Sequence, residues 1–281
     1  MKTASLVLVL AALAGCGTVA VNQDDSTAEP VSAAQSLAAG DAAFRRGDIE
    51  AAQVKYLVSL SEDPDNPATL FRIGSIYRSQ DELDLAEDSF RAVLDLQPDH
   101  TDANEALALV LLSKGEIAQA QPLLKKVVLK DKTRWRALNG LGYIYDRQKL
   151  HPQAQSLYAR AIRLNSRAPQ LHNNLGYSYY LNGQWDQAYR EFSSAIELDP
   201  GFRQAWSNLG LYYVRRNQFD NALQAFEKIN SPHQAANNVG YLCMMQENYR
   251  EAERFFELAI RRSSSYYKVA HDNLDYVRKR Y

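Results

Sequence analysis

Residues 172–180 read HNNLGYSYY, and the reading of Gly176 decides the fold. The flanking apolar residues recur at a helical period, yet a glycine inside a helix costs about 1 kcal/mol relative to alanine. Gly40, Gly74, Gly142, Gly176 and Gly210 share one register of 34 residues, Ala108 fills the vacant slot, and Gly240 follows after 30. A second small-residue series runs twelve positions behind: Ala52, Ala86, Ala120, Ala154, Ala188, Ala222 and Ala252. Four residues after each alanine comes a large side chain: Tyr56, Phe90, Leu124, Tyr158, Phe192, Phe226 and Phe256. Pro64, Pro98 and Pro200 close several of the segments. A fixed period of this length marks a repeat array.

Leu175 and Tyr179 fit a 3.6-residue period, as do Ala188, Phe192, Ala195 and Ile196. Between them lies Gly183, with Gly47, Gly115 and Asn217 in the same slot, where a helix C-terminus takes a left-handed residue. Each repeat is therefore a helix, a tight turn and a second helix. With no Cβ at Gly176 and only a methyl at Ala188, the two helices are expected to approach at the short end of the usual range of about 8–10 Å.

The 281 residues carry a formal charge of −1, so composition points neither to a nucleic-acid binder nor to a strongly acidic chain. A solenoid buries its apolar residues between neighbouring repeats rather than in one globule. His100, His151, His172, His233 and His271 lie at least 21 residues apart and form no zinc-binding set. There is no P-loop, dinucleotide fingerprint or GxSxG elbow. No enzyme activity, metal, cofactor, nucleic acid or small-molecule substrate is expected. Seventeen tyrosines stand out, a residue that favours half-wet interfaces. The basic pairs at 125–126, 215–216 and 261–262, and the RKR at 278–280, read as solvated faces.

From residue 169, taken as the first of its repeat, Leu175, Gly176, Tyr179, Ala188, Phe192, Ala195 and Pro200 resemble the tetratricopeptide consensus. The resemblance implies an all-α, right-handed superhelical solenoid of antiparallel helix pairs. Seven repeats are assigned at 33–66, 67–100, 101–134, 135–168, 169–202, 203–232 and 233–266, followed by a capping helix at 267–281. Repeat three departs most: Ala108, Leu111 and Lys132 replace glycine, tyrosine and proline, and Pro122 predicts a kink in its second helix. Repeat six lacks four residues near Asn230, Ser231 and Pro232, so its second helix is expected to end early.

Residues 1–15 read as a signal peptide, with Lys2 ahead of an apolar run from Leu6 to Leu13 that is short for a membrane span. The tetrad LAGC, Leu13 to Cys16, resembles the lipobox of bacterial lipoproteins, which implies covalent diacylglycerol and palmitate on Cys16; the other reading is an ordinary secretory cleavage site with an accidental cysteine. Acyl chains buried at about 0.8 kcal/mol per methylene would be the only membrane attachment. Gly17 in place of aspartate implies, in that family's sorting logic, the outer membrane, facing the periplasm. Residues 16–32 then form an acylated N-terminus and flexible linker, with a reach of roughly 20–25 Å. Cys243, the one cysteine left after lipidation, sits in the slot of Tyr77, Tyr145, Tyr179 and Tyr213 and reads as core rather than nucleophile.

By the same family resemblance, slots 2, 5, 9 and 12 of each repeat face a concave groove that binds a protein or peptide partner. In repeat four these are Arg136, Asn139, Tyr143 and Asp146; in repeat five Gln170, Asn173, Tyr177 and Tyr180; in repeat seven Gln234, Asn237, Tyr241 and Met244. Repeat six contributes Gln204, Ser207, Leu211 and Val214. Asparagine offers both a donor and an acceptor to a partner's backbone, and tyrosine and methionine offer adaptable contact area. Asn174, Asn208 and Asn238, in slot six, match an asparagine of the consensus itself and read as structural. The groove tyrosines admit two readings, ligand contact and half-buried packing.

The stretch RALNGLGYIYDRQKLHPQAQSLYARAIRL and the later LHNNLGYSYYLNGQWDQA resemble the tetratricopeptide lipoproteins of tight-adherence (Tad, type IVb Flp) pilus assembly, the TadD-like family. That resemblance implies a pilotin-like adaptor whose partner is a secretin or another pilus component. The alternative is a periplasmic lipoprotein scaffold for peptidoglycan enzymes or outer-membrane protein assembly.

Overall fold

Among the described residues, 32–280 of the computed structural model, the chain forms fifteen α-helices and no strand. They come in pairs: α1 (Ala33–Arg45) with α2 (Ile49–Glu62), α3 (Pro67–Ser79) with α4 (Leu83–Leu96), and α5 (Thr101–Ser113) with α6 (Ile117–Lys130). Then follow α7 (Trp135–Arg147) and α8 (His151–Leu164), α9 (Pro169–Leu181) and α10 (Trp185–Leu198), α11 (Arg203–Arg215) and α12 (Phe219–Glu227), and α13 (Pro232–Met245) and α14 (Tyr249–Arg262). A last helix, α15 (Lys268–Arg278), packs on α14 through Ala270, Leu274 and Val277. The chain divides between Gly140 and Leu141, inside α7, into two compact units.

One left-handed residue stands in the turn of every pair: Gly47, Asp81, Gly115, Lys149, Gly183, Asn217 and Glu247. At Gly183, where φ is +72°, the amide donates to the Tyr180 carbonyl and the next amide to Tyr179, at 3.1 and 2.9 Å. Carbonyls orphaned by the end of α9 are thus satisfied. Asp81, Lys149 and Glu247 hold the same backbone despite their Cβ atoms, so the short connection rather than the residue type dictates the turn.

The mid-helix glycines are seats for aromatic rings. A Cβ on Gly176 would lie 2.8 Å from both Cδ1 and Cε1 of Phe192, with the Ala188 carbonyl oxygen next at 3.2 Å. Tyr56 sits the same way on Gly40, Phe90 on Gly74, Tyr158 on Gly142, Phe226 on Gly210 and Phe256 on Gly240. Close helix approach was expected from the paired small residues; the glycine's nearest obstacle is the ring four residues beyond the alanine. Most of these rings are almost fully buried, and each withdrawn from water contributes about 1.5–3 kcal/mol, enough to offset the helix penalty of the glycine. Repeat three shows the compensation: Leu124 replaces the ring, and Ala108 is tolerated in the seat.

In the N-terminal unit α6 continues through Pro122 from Ile117 to Lys130. The buried carboxylate of Glu105 accepts the Ala137 amide at 3.1 Å, closing a donor that the first turn of α7 leaves open. In the C-terminal unit α12 ends after nine residues, against fourteen in α10 and α14, as the four missing residues of repeat six require. The expected signal peptide at 1–15, Cys16 and the expected linker lie outside the described residues up to residue 31, and no described helix is long and apolar enough to cross a membrane.

Candidate functional site

Within the C-terminal unit, residues of α7, α8, α9 and α11 enclose a cavity of about 440 Å³. Tyr143 and Tyr177 stand on its wall, 40% and 39% exposed. Leu181 and Leu211 add apolar surface, Gln204 and Arg147 stand exposed on it, and Asp146, Tyr158, Asn173, Asn174 and Asn208 complete the lining. Tyr143 and Tyr177 share slot nine of successive repeats, so the helix-pair period itself places them on one face. The Tyr177 ring stacks on Tyr180 at 6.1 Å, and Tyr180 meets Trp185 edge-on at 5.3 Å, which restrains both rings.

Asp146 is tied down from three sides. The Ser178 hydroxyl donates to its Oδ1 at 2.7 Å, and Nδ1 of His151 lies 2.9 Å from the same oxygen. Tyr158 is its third partner: burial first, then this carboxylate, drives the Tyr158 phenol well above its ordinary value. The expected groove carboxylate is therefore a joint between α7, α8 and α9, with hydrogen-bond partners on both of the later helices.

The slot-five amides were expected to read a partner's backbone, and the structure corrects that for two of them. Asn173 is 1% exposed, and its Oδ1 accepts Nδ2 of Asn208 at 2.8 Å. Asn237 is buried and accepts Nδ2 of Asn273 at 3.2 Å. Each amide thus joins its own first helix to the first helix that follows. An unpaired buried amide costs about 1–3 kcal/mol, which selects an amide on both sides of the contact. Asn173 still lines the cavity, with its Nδ2 donating to Asn174 at 3.4 Å.

The other expected groove residues fall into different settings. Tyr241 is exposed and Met244 half-buried on α13, whereas Gln234 accepts the Ser231 hydroxyl at 2.9 Å and caps that helix. Gln170 and Tyr180 are half-buried on α9. Arg136 and Asn139 belong to the N-terminal unit, where the Arg136 guanidinium lies 4.3 Å over the Trp135 ring and Asn139 is half-buried. In that same unit Asp41, another slot-nine residue, is committed to Tyr56 and Arg72 at 2.7 and 2.8 Å.

Sequence reasoning missed Ser178, Tyr158, His151 and Arg147 as parts of the site. Ser178 left a signal: it is a hydroxyl in slot ten, where Ile76, Val110 and Ile144 stand in other repeats, and a polar residue in an apolar slot demands a partner. Cys243 is fully buried, and burial, followed by the Glu251 carboxylate, pushes its thiol up to about 12, which keeps it an unreactive thiol. Among the described residues no three His, Cys, Asp or Glu side chains converge as a metal site. The arrangement is one for holding a ligand: exposed rings beside fixed amides, without a nucleophile aimed into the cavity.

One family model described as tetratricopeptide repeat matches residues 37–101, 150–201 and 173–235, and a second such model matches 77–141. The cellulose synthase operon protein C of Pseudomonas fluorescens is 29% identical over 103 residues, 37% of this chain but only 8% of that protein. A tetratricopeptide repeat protein of Parabacteroides merdae aligns with a TM-score of 0.62 at 17% identity, over 88% of this chain and 98% of that one. The Pseudomonas aeruginosa protein pilF aligns with a TM-score of 0.57 at 17% identity, over 76% and 97% of the two chains. At these identities the structural likenesses concern the fold.

Proposed function

The chain belongs to the tetratricopeptide repeat family, generally a non-catalytic protein-interaction scaffold, and from that premise we propose that it is an adaptor of Tad (Flp) pilus assembly. In this reading the mature protein carries diacylglycerol and palmitate on Cys16, is held at the periplasmic face of the outer membrane by those chains alone, and helps a secretin or another pilus component reach or assemble in that membrane. The observation that carries the adaptor role is the cavity of the C-terminal unit, where Tyr143 and Tyr177 remain exposed beside a pre-bonded amide pair. Exposed tyrosine next to fixed polar groups is the composition of an interface centre. The pilus assignment is supported by the resemblance of residues 136–164 and 171–188 to the TadD-like lipoproteins, and the anchoring by the LAGC tetrad.

The test is genetic and biochemical together. Deletion is expected to abolish piliation and secretin multimers, and the tagged protein is expected to recover a pilus component from detergent extracts of the envelope. A Cys16→Ser chain is expected to lose acylation and to leave the outer-membrane fraction. Intact pili and multimers after deletion, with no pilus protein recovered, would refute the pilus role. Continued fractionation of the Cys16→Ser chain with the outer membrane would show that a partner, not lipid, is the anchor.

A further inference from the structure

The net charge of −1 hides an uneven distribution along the chain. From Asp81 to Asp95, the turn and second helix of repeat two, six side chains are acidic and one is basic. From Arg147 to Arg167, the second helix of repeat four with the turns on either side, five lysines and arginines stand without one acidic residue. The repeat register does not require either run: slot 29 holds Asp95 in one and Arg163 in the other.

Both runs face outward. α4 buries Ala86, Ser89, Phe90 and Val93, and at 3.6 residues per turn Asp84, Asp88 and Asp95 fall on the opposite stripe. α8 buries Ala154, Tyr158 and Ala161; Arg163 lies opposite them, Arg160 beside it, and Arg167 follows in the turn. Exposed Leu96 and Leu164 end the two helices.

Charge on α14 is settled within the chain, where Arg254, Arg261 and Arg262 pair with Glu251, Glu257 and Glu227. Asp84 likewise has Lys114. Among the described residues, Asp88, Asp95, Arg160, Arg163 and Arg167 make no ion pair and no side-chain hydrogen bond. Each stripe of like charge repels itself, and an opposite stripe arriving from outside relieves it. An anionic lipid surface would answer α8 and leave α4 unanswered. A second copy of this chain answers both.

We propose that the chain self-associates, the acidic stripe of α4 in one copy docking on the basic stripe of α8 in another, with Leu96 and Leu164 beside the contact. The two surfaces differ, so the first copy keeps a free α8 and the second a free α4, and further copies add into a row or a ring. Exposed ion pairs contribute little one by one, so the contact is weak, and it fades with added salt.

The test is sedimentation velocity of the full Cys16→Ser chain over a concentration series. Average mass is expected to rise with concentration at about 0.1 M salt and to return to the monomer near 1 M, where the screening length has fallen from about 10 Å to about 3 Å. Arg160→Glu with Arg163→Glu, or Asp88→Arg with Asp95→Arg, is expected to weaken association at least about tenfold, equivalent to about 1.4 kcal/mol, with the helical circular dichroism spectrum kept. A chain carrying all four reversals is expected to associate again, because its stripes are opposite once more. A monomer at every concentration, association insensitive to salt, unchanged association in either pair of reversals, or no recovery in the fourfold chain would overturn the proposal. A monomer that sediments with phosphatidylglycerol vesicles, and stops doing so with Arg160→Glu and Arg163→Glu, would overturn it too and assign α8 to lipid. Each of these results leaves the adaptor role untouched, since that role is read from the cavity and from piliation.

Discussion

Replacing Gly176 by alanine sets two opposing effects against each other. Helix propensity favours alanine by about 1 kcal/mol. Against it, the new Cβ would lie 2.8 Å from two carbons of the Phe192 ring, which is fully buried, and 3.2 Å from the Ala188 carbonyl oxygen. Neither neighbour is the free end of a flexible side chain, so the overpacking is expected to cost about 1–3 kcal/mol. The net result is a loss of about 0–2 kcal/mol. Phe192→Leu removes the obstacle at its own cost of about 1–2 kcal/mol for the emptied volume, and in that background Gly176→Ala is expected to stabilise by up to about 1 kcal/mol. A double-mutant cycle by urea unfolding, followed by far-ultraviolet circular dichroism in a Cys16→Ser background, should then give a coupling of about 1–3 kcal/mol. Gly183→Ala serves as the contrast: its loss comes from a φ of +72°, and Phe192→Leu should not rescue it. Zero coupling between Gly176→Ala and Phe192→Leu would refute the ring-seat explanation of the glycine register.

Other outcomes follow from the buried groups. Asn173→Ala, which strands a buried N–H of Asn208, is expected to cost about 1–3 kcal/mol, whereas Tyr177→Ala, at an exposed ring, should stay within about 0.5 kcal/mol and weaken partner binding; equal losses by urea unfolding would contradict the assignment. The bond from Glu191, then the partly opposing burial, leave the His172 pKa above its usual 6.5, so its contribution to stability is full below that value and fades as pH rises through the raised one. His172→Gln should flatten that part of a urea-midpoint-against-pH curve, and an unchanged slope would count against the pair. The Cys243 thiol, pushed up to about 12, should react with a disulfide reagent at about pH 8 only as fast as the chain unfolds; rapid labelling of the native protein would show an accessible thiol.

The fold was legible because two small-residue series in one register cannot both be accidents, and because glycine or asparagine marked four of the seven turns. Asp81, Lys149 and Glu247 gave no such mark, since the helix pair imposes their backbone. The site was legible only in part. A slot number says which face of a helix a residue occupies, not whether the following helix covers that face. Tyr143, Tyr177 and Tyr241 emerged exposed, while Asn173 and Asn237, one turn earlier, were covered by Asn208 and Asn273. Amide pairing across 35 or 36 residues has no local pattern to reveal it. The Asp146 joint escaped for the same reason, apart from the single misplaced hydroxyl of Ser178.

Photo-crosslinking in living cells tests the docking claim most directly. A photoreactive amino acid in place of Tyr177, compared with one in place of the exposed Arg190 on α10, would report what lies against the cavity. An adduct from position 177 alone, joined to a pilus assembly protein, is the expected result. No adduct at 177, or the same partners trapped equally at 190, would contradict it.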